Sequence, residues 1–168
     1  MRIALRDGTA IEVRPIRPDD KELLARAWSR LSPASQQKRF LTAKPRLTSG
    51  DLRYLTEIDG HRHFALVAVL TDRPSDVVGV GRFVRLREDP DAAEFAIVIG
   101  DPYQGQGLGG QLADWLAQRA VAEGIKRFTA TTAADNAPAQ RLIRRISNHL
   151  SYDHRSGPLR EIVADLAA

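Results

Sequence analysis

The sequence predicts an α/β (α+β) chain built on a mixed, mostly antiparallel central sheet flanked by helices, and three observations predict it. The first is the stretch Glu94 to Leu116. There, an apolar run from Phe95 to Ile99 reads as a buried strand and meets a loop with glycines at 105, 107, 109 and 110. A helix follows whose Leu108, Leu112, Trp115, Leu116 and Ala120 share one face. The second is a pair of apolar strands upstream, Phe64 to Leu70 and Val77 to Leu86, joined by the polar turn Asp72-Arg73-Pro74-Ser75-Asp76. With the Glu94 strand they form an antiparallel meander. The third is a return to strand, Arg127 to Ala133, once the helix has ended at Gly124.

The remaining elements follow from local rules. Residues 3–14 alternate around Asp7-Gly8, a strong hairpin signal, until Pro15 and Pro18 stop the pairing. Asp19 and Asp20 open a helix running to about Leu31, with Leu23, Leu24, Ala27, Trp28 and Leu31 as its buried stripe. Ser32-Pro33 starts a short helix reaching Phe40 and Leu41, and Thr48 with Asp51 forms a capping box for the next. Gly79 and Gly81 mark a bulge or a tight neighbour within their strand. After Asp135-Asn136 a last helix carries Ala139, Leu142, Ile143, Ile146 and Leu150 at core spacing, with Pro138 in its first turn. Leu159 to Leu166 reads as a final strand or a frayed tail.

At 168 residues the expectation is one domain, 1–168. No apolar run is long enough for a membrane span, and the first residues lack an apolar leader core, so a cytoplasmic location is expected. Cysteine is absent, which excludes disulfides, a thiolate metal site and a cysteinyl intermediate. The four histidines lack metal-ligand spacing with acidic partners, so no metal is expected and they read as surface or loop residues. The net charge of +4 suits an anionic ligand. Nucleic acid is not expected, because the arginines are dispersed and aromatics are only 6% of the chain. Oligomeric state is not legible.

A strand, a glycine loop and a helix start together present backbone N–H groups and a positive dipole end to an anion. No Gly-Lys-Ser/Thr follows, so this is not a P-loop. Gly105, Gly107 and Gly110 do satisfy G-x-G-x-x-G, but five residues separate Ile99 from Gly105, and the strands before the loop are antiparallel. A dinucleotide fold needs the reverse of both.

Read as Q-x-x-G-x-G, the residues Gln104-Gly105-Gln106-Gly107-Leu108-Gly109 resemble the acyl-CoA loop of the GNAT acetyltransferases. The resemblance narrows to the catalytic domain of bacterial Pat-type protein lysine acetyltransferases. It does so through Arg14-Pro15-Ile16-Arg17-Pro18-Asp19-Asp20, Leu31-Ser32-Pro33 through Arg39-Phe40, and Leu47-Thr48 through Glu57-Ile58-Asp59. It implies a GNAT-like fold and acetyl-CoA as co-substrate. The pyrophosphate would rest on Gln106 to Gly110, next to Gln104 and Gly105, and the pantetheine would run along Ile97, Val98 and Ile99. Asn136 would lie near the pantetheine arm, although a plain helix cap accounts for it equally.

The resemblance also implies direct acetyl transfer to an amine, a protein lysine first and a small-molecule amine second. A non-catalytic acyl-CoA sensor is the reading from outside catalysis. Lysine titrates near 10.4, so a base must take its proton, and Glu94 at the head of an apolar strand is the candidate, its pKa expected to rise on partial burial. The position where many relatives carry a tyrosine acid is Ile143 here. The acidic turn from Glu88 to Asp91 is the candidate mouth for an amine, and Arg141, Arg144 and Arg145 read as a solvated basic face.

Overall fold

The structure is a computed structural model that describes residues 1–41 and 44–166. Its eight strands are β1 (Arg2–Ala4), β2 (Ala10–Pro15), β3 (His63–Leu70), β4 (Val77–Arg85), β5 (Ala92–Ile99), β6 (Arg127–Ala133), β7 (Leu150–Ser156) and β8 (Leu159–Asp165). Its five α-helices are α1 (Lys21–Ser29), α2 (Pro33–Phe40), α3 (Ser49–Thr56), α4 (Leu108–Ala122) and α5 (Ala137–Ile146). The strands form one open sheet in the order β1-β2-β3-β4-β5-β6-β8-β7. Every neighbouring pair is antiparallel except β5 and β6, which run parallel as the strand–helix–strand connection through α4 requires.

Two layers of helix cover the sheet, so β3 is apolar on both faces, as its unbroken run of hydrophobic residues demands. Leu66, Ala68 and Leu70 face a core with Leu108, Leu112, Leu116 and Ala120 of α4. Ala65, Val67 and Val69 face the other way, against Leu24 of α1 and Leu55 of α3. Gly79 and Gly81 let α4 lie close to β4: a Cβ on Gly81 would stand 2.7 Å from Leu116 Cδ1, and one on Gly79 would stand 2.9 Å from Ile99 Cδ1. The register also shifts between Ala68 and Val69, opposite Gly79 and Val77, so a bulge and a tight neighbour are both present.

Capping follows the local rules. Thr48 Oγ1 accepts from Asp51 N at 3.1 Å while Asp51 Oδ2 accepts from Thr48 N at 2.7 Å. Gly124 closes α4 with φ +77°. The helix opened by the acidic pair is preceded by a 3-10 turn over Pro18–Asp20, and the buried Asp20 is held in a bidentate pair by Arg14 at 2.7 and 2.8 Å.

The C-terminal segment departs from the expected pattern. α5 ends at Ile146, and Leu150 opens an edge strand instead of extending the helix. Ser147 supplies the reason: extended in backbone, its hydroxyl lies 2.6 Å from the Asp165 carbonyl and 2.7 Å from that of His149, its one proton shared between them, which ties the chain into β8. Leu150 then packs with Ile143 and Ile162, so its apolar spacing serves a strand. Leu159–Asp165 is a full strand paired on both edges. Among the described residues no helix is long and apolar enough to cross a membrane.

Candidate active site at the fork between β5 and β6

The site begins where two parallel strands part. β5 pairs with β6 only at Ala92, Ala93 and Glu94, opposite Arg127, Phe128 and Thr129. Beyond Glu94, β6 remains paired to β8 while β5 keeps β4 on its far edge alone. Strand alternation then decides which backbone groups are free. The Ala92 carbonyl accepts from Leu86 and the Gly100 N–H donates to Val78, so even-numbered residues turn toward β4. Phe95 and Ile97 consequently present their N–H and C=O groups to the fork, and Ile99 its N–H, its carbonyl already accepting from Gln104 Nε2. Such an unpaired edge inside a fold is a template for an extended ligand with its own amide groups. Val98 turns its backbone to Val80 and contributes a side chain to the opposite face.

The edge runs into the glycine loop. A 3-10 turn over Asp101–Tyr103 is pinned to the start of α2, where Asp101 accepts from Ser32 N, Ser32 Oγ and Ser35 Oγ at 2.7–2.9 Å. Gln104 donates through Nε2 to the Ile99 carbonyl at 3.0 Å and to Ser35 Oγ at 3.3 Å. Its side chain therefore braces the loop. Gly105 and Gly107 hold φ of +72° and +97°, conformations that favour glycine. Gly107 is the N-cap of α4, and Leu108 behind it is 1% exposed, anchoring the helix start in the core. Gly109 and Gly110 face α5 closely: Cβ atoms there would touch Leu142 at 3.5 Å, an ordinary contact, and the flexible Arg145 side chain at 3.2 Å.

None of the backbone N–H groups from Gly105 to Gly110 donates to another described residue; the first that does is Gln111, to Gly107. A row of unpartnered donors at the positive end of a 15-residue helix is chemically suited to phosphate oxygens. The residues thus fit the pyrophosphate and amide arm of an acyl-CoA. Sequence reasoning missed one support. Arg6, in the β1–β2 turn, donates its N–H to the Gln106 carbonyl at 3.3 Å and Nη1 to the Gly105 carbonyl at 3.4 Å. Contacts across 99 residues leave no local signal.

Glu94 stands at the fork itself, paired in register with Val84 on one side and Thr129 on the other. It is exposed, so the expected burial is not met: the strands part at this point and leave it open to solvent. Asn136 caps α5, its Oδ1 accepting from Ala139 N at 3.3 Å, on the far side of the fork beyond the end of β6. Ile143 is buried against Ile162. The acidic turn is already committed in part, since Asp89 pairs with Arg127 and Asp91 with Lys126, each at 2.8 Å. Of the helix arginines, Arg145 grips Asp114 at 2.6 Å and Arg144 lies 3.6 Å from Asp153.

On the α1–α3 face of the sheet the structure gathers a group that the sequence reading left dispersed. Arg82 is 4% exposed and donates through Nη1 to the Leu55 carbonyl at 3.2 Å and to His63 Nε2 at 2.9 Å. That makes His63 an acceptor. Burial, together with the neighbouring Arg82 charge, pushes its pKa down to about 4, so it is neutral at physiological pH. His63 is therefore half-buried and partnered, which corrects its reading as a surface residue. Burial lowers Arg82 to about 9, leaving it cationic at neutral pH. Arg39, half-buried at the end of α2, lies over the Phe40 ring at 4.7 Å. Burial disfavours its charge, and Glu94 and Tyr54 offset that in part. The one sequence signal was a lone charge inside the apolar run of β4. Among the described residues no group of three or more His, Asp or Glu side chains is placed to hold a metal ion.

Comparison with known proteins decides the family. The model of the acetyltransferase (GNAT) family matches residues 22–147. The chain belongs to that family. The family is one of acetyltransferases, and both curated relatives are named as such. The chain is 32% identical over 145 residues to acetyltransferase Pat of Mycolicibacterium smegmatis, covering 86% of itself and 43% of that protein. It is also 32% identical over 134 residues to acetyltransferase PA5475 of Pseudomonas aeruginosa, covering 79% of itself and 72% of the relative. The chain thus spans less than half of the first relative and most of the second. Among solved structures, the GNAT domain of S. lividans PAT superposes with a TM-score of 0.86 at 26% identity, over 99% of this chain and 96% of that one.

Proposed function

We propose that this GNAT domain transfers the acetyl group of acetyl-CoA directly to a primary amine, with a protein lysine side chain as the acceptor. The observation that carries the proposal is the unpaired edge of β5, which starts at Glu94 and ends on the unpartnered N–H groups of Gly105 to Gly110. The likeness to acetyltransferase Pat supports the lysine reading. In this reading Ile97 and Ile99 pair through their backbone with the pantetheine, and Gln106 to Gly110 hold the pyrophosphate. Gln104 and Gly105 keep the loop in shape, and Asn136 borders the arm from across the fork.

When bound, acetyl-CoA supplies a thioester whose C–S bond breaks as the amine's lone pair forms the new C–N bond, CoA leaving with that electron pair as its thiolate. Glu94 takes the proton that the nitrogen must lose, and it is open to solvent for passing that proton on. The free edge orients the thioester beside Glu94, which contributes through positioning. A small-molecule amine is the second reading, favoured by the apolar cavity described below. The chain has no cysteine and gains nothing from an oxidising compartment, so a cytoplasmic location belongs to the same proposal.

The test is CoA release from acetyl-CoA with a panel of proteins and small amines, for the native chain and Glu94→Gln. A general base accounts for about 10²–10⁴ in rate, so kcat should fall at least 100-fold while CoA affinity holds. Turnover indifferent to Glu94→Gln would remove the base. Tight CoA binding without turnover on any acceptor would favour a sensor.

A further inference from the structure

Below Glu94, on the face of the sheet away from α4, lies an apolar cavity of about 60 Å³ whose walls include Leu24, Trp28, Phe40, Leu55, Val80 and Val98. Arg39 and Arg82 also line it, and no carboxylate does. Arg82 is 4% exposed, and among the described residues its Nε and Nη2 have no hydrogen-bond partner. Neither guanidinium is paired with an acid in any described ion pair. Two cations in an apolar wall with no carboxylate in direct contact are poorly solvated, and proteins ordinarily pair or hydrogen-bond such charges. The register places this pair beside the reacting end. Arg82 is directly opposite Ala96, so Glu94 and Val98 are its diagonal neighbours on the same face, about 7–8 Å away. Arg39 lies near enough to Glu94 for the carboxylate to favour its charge.

We propose that Arg39 and Arg82 recognise a carboxylate carried by the acceptor, so that the amine acetylated at Glu94 belongs to a molecule with both groups and an adjoining apolar portion. The inference rests on the acetyl-transfer reading above and names the acceptor chemistry of the same site. A planar guanidinium matches a carboxylate through paired N–H donors, and burial strengthens such a contact. The cationic pair also disfavours a bare ammonium in the pocket, which suits delivery of the amine in its neutral, nucleophilic form. Two sources offer this chemistry: a free apolar amino acid, and a lysine flanked by an acidic residue in a polypeptide.

The experiment uses matched probes on the full chain. Leucine is compared with leucinamide, which removes the carboxylate charge and also lowers the amine pKa, so the two are compared per neutral amine, and a lysine peptide with a neighbouring glutamate is compared with its glutamine counterpart. CoA release gives kcat/KM for each, and calorimetry gives binding of leucine and leucinamide with and without CoA. The acid member of at least one pair is expected to be preferred 10-fold or more, and the pair that shows it identifies the source. In Arg39→Gln and Arg82→Lys that preference should collapse toward unity through KM, with CoA affinity retained. Arg82→Lys keeps a buried cation, and Arg39→Gln, at the less buried of the two positions, guards against a result due to misfolding. Equal use and equal binding of acid and amide would overturn the inference while leaving acetyl transfer intact. An undiminished preference in both variants would also overturn it. Failure to bind CoA would overturn the acetyl-transfer reading instead, and the calorimetric comparison without CoA would still decide the carboxylate site.

Discussion

Gly107→Ala isolates what the loop's backbone conformation contributes to the site. Gly107 holds φ +97° and ψ −11°, and a Cβ added there would meet no atom within 4 Å, so the substitution introduces backbone strain and no clash. An L-residue in left-handed backbone costs about 1–2 kcal/mol. Where that cost appears depends on the loop. If it keeps its shape without ligand, the strain weakens the fold, and a chain of this size loses about 2–4 °C per kcal/mol, or about 2–8 °C in Tm. If it relaxes when free, Tm holds and the strain is met on binding, raising the Kd for CoA about 5- to 30-fold. Differential scanning fluorimetry and calorimetric titration with CoA measure the two halves, whose sum should be about 1–2 kcal/mol. Gly110→Ala is the comparison: its backbone is not left-handed, and its Cβ would press only on the flexible Arg145 side chain, at 3.2 Å. Unchanged Tm and unchanged CoA affinity in Gly107→Ala would refute the argument that the loop needs this conformation.

The other predictions concern the frame and its pH dependence. Leu112 is fully buried between α4 and β4, so Leu112→Ala should cost about 2–5 kcal/mol, read as a lower urea midpoint at unchanged m-value. Thr48→Ala removes half of the capping box at α3 and should cost about 1 kcal/mol in the same titration. His63 stays neutral in the fold down to about pH 4 but takes a proton near 6.5 when unfolded. Unfolding then binds a proton across that window, so stability should fall as pH drops from about 6.5 to 4, by at most about 1.4 kcal/mol per unit and less after solvent screening. His63→Gln keeps an acceptor for Arg82 and cannot titrate. Urea titrations at several pH values should lose that part of the slope, and an unaltered slope would exclude His63 as its source.

Much of this molecule was determined by the sequence alone, wherever the deciding interactions are local. The capping box of Thr48 and Asp51, the closing Gly124, the Asp7-Gly8 turn and the stripe of α4 are set by residues a few positions apart. Their spacing therefore exposes them. The glycine loop was legible for the same reason, because Gly105 and Gly107 are required by local backbone angles. Tertiary structure decided what lies across the sheet. The free edge of β5 exists because β6 leaves after Glu94 to pair with β8, and the same departure exposes Glu94, which sequence reasoning had placed in a partly buried setting. β7 was missed because Leu150 satisfies helical spacing, and only the contacts of Ser147 with β8 turn the chain. Arg39 and Arg82 come from a helix end and a strand interior, with no shared periodicity to join them. Register and helix packing bring two positive charges to one apolar wall, and neither leaves a trace in a single stretch of sequence.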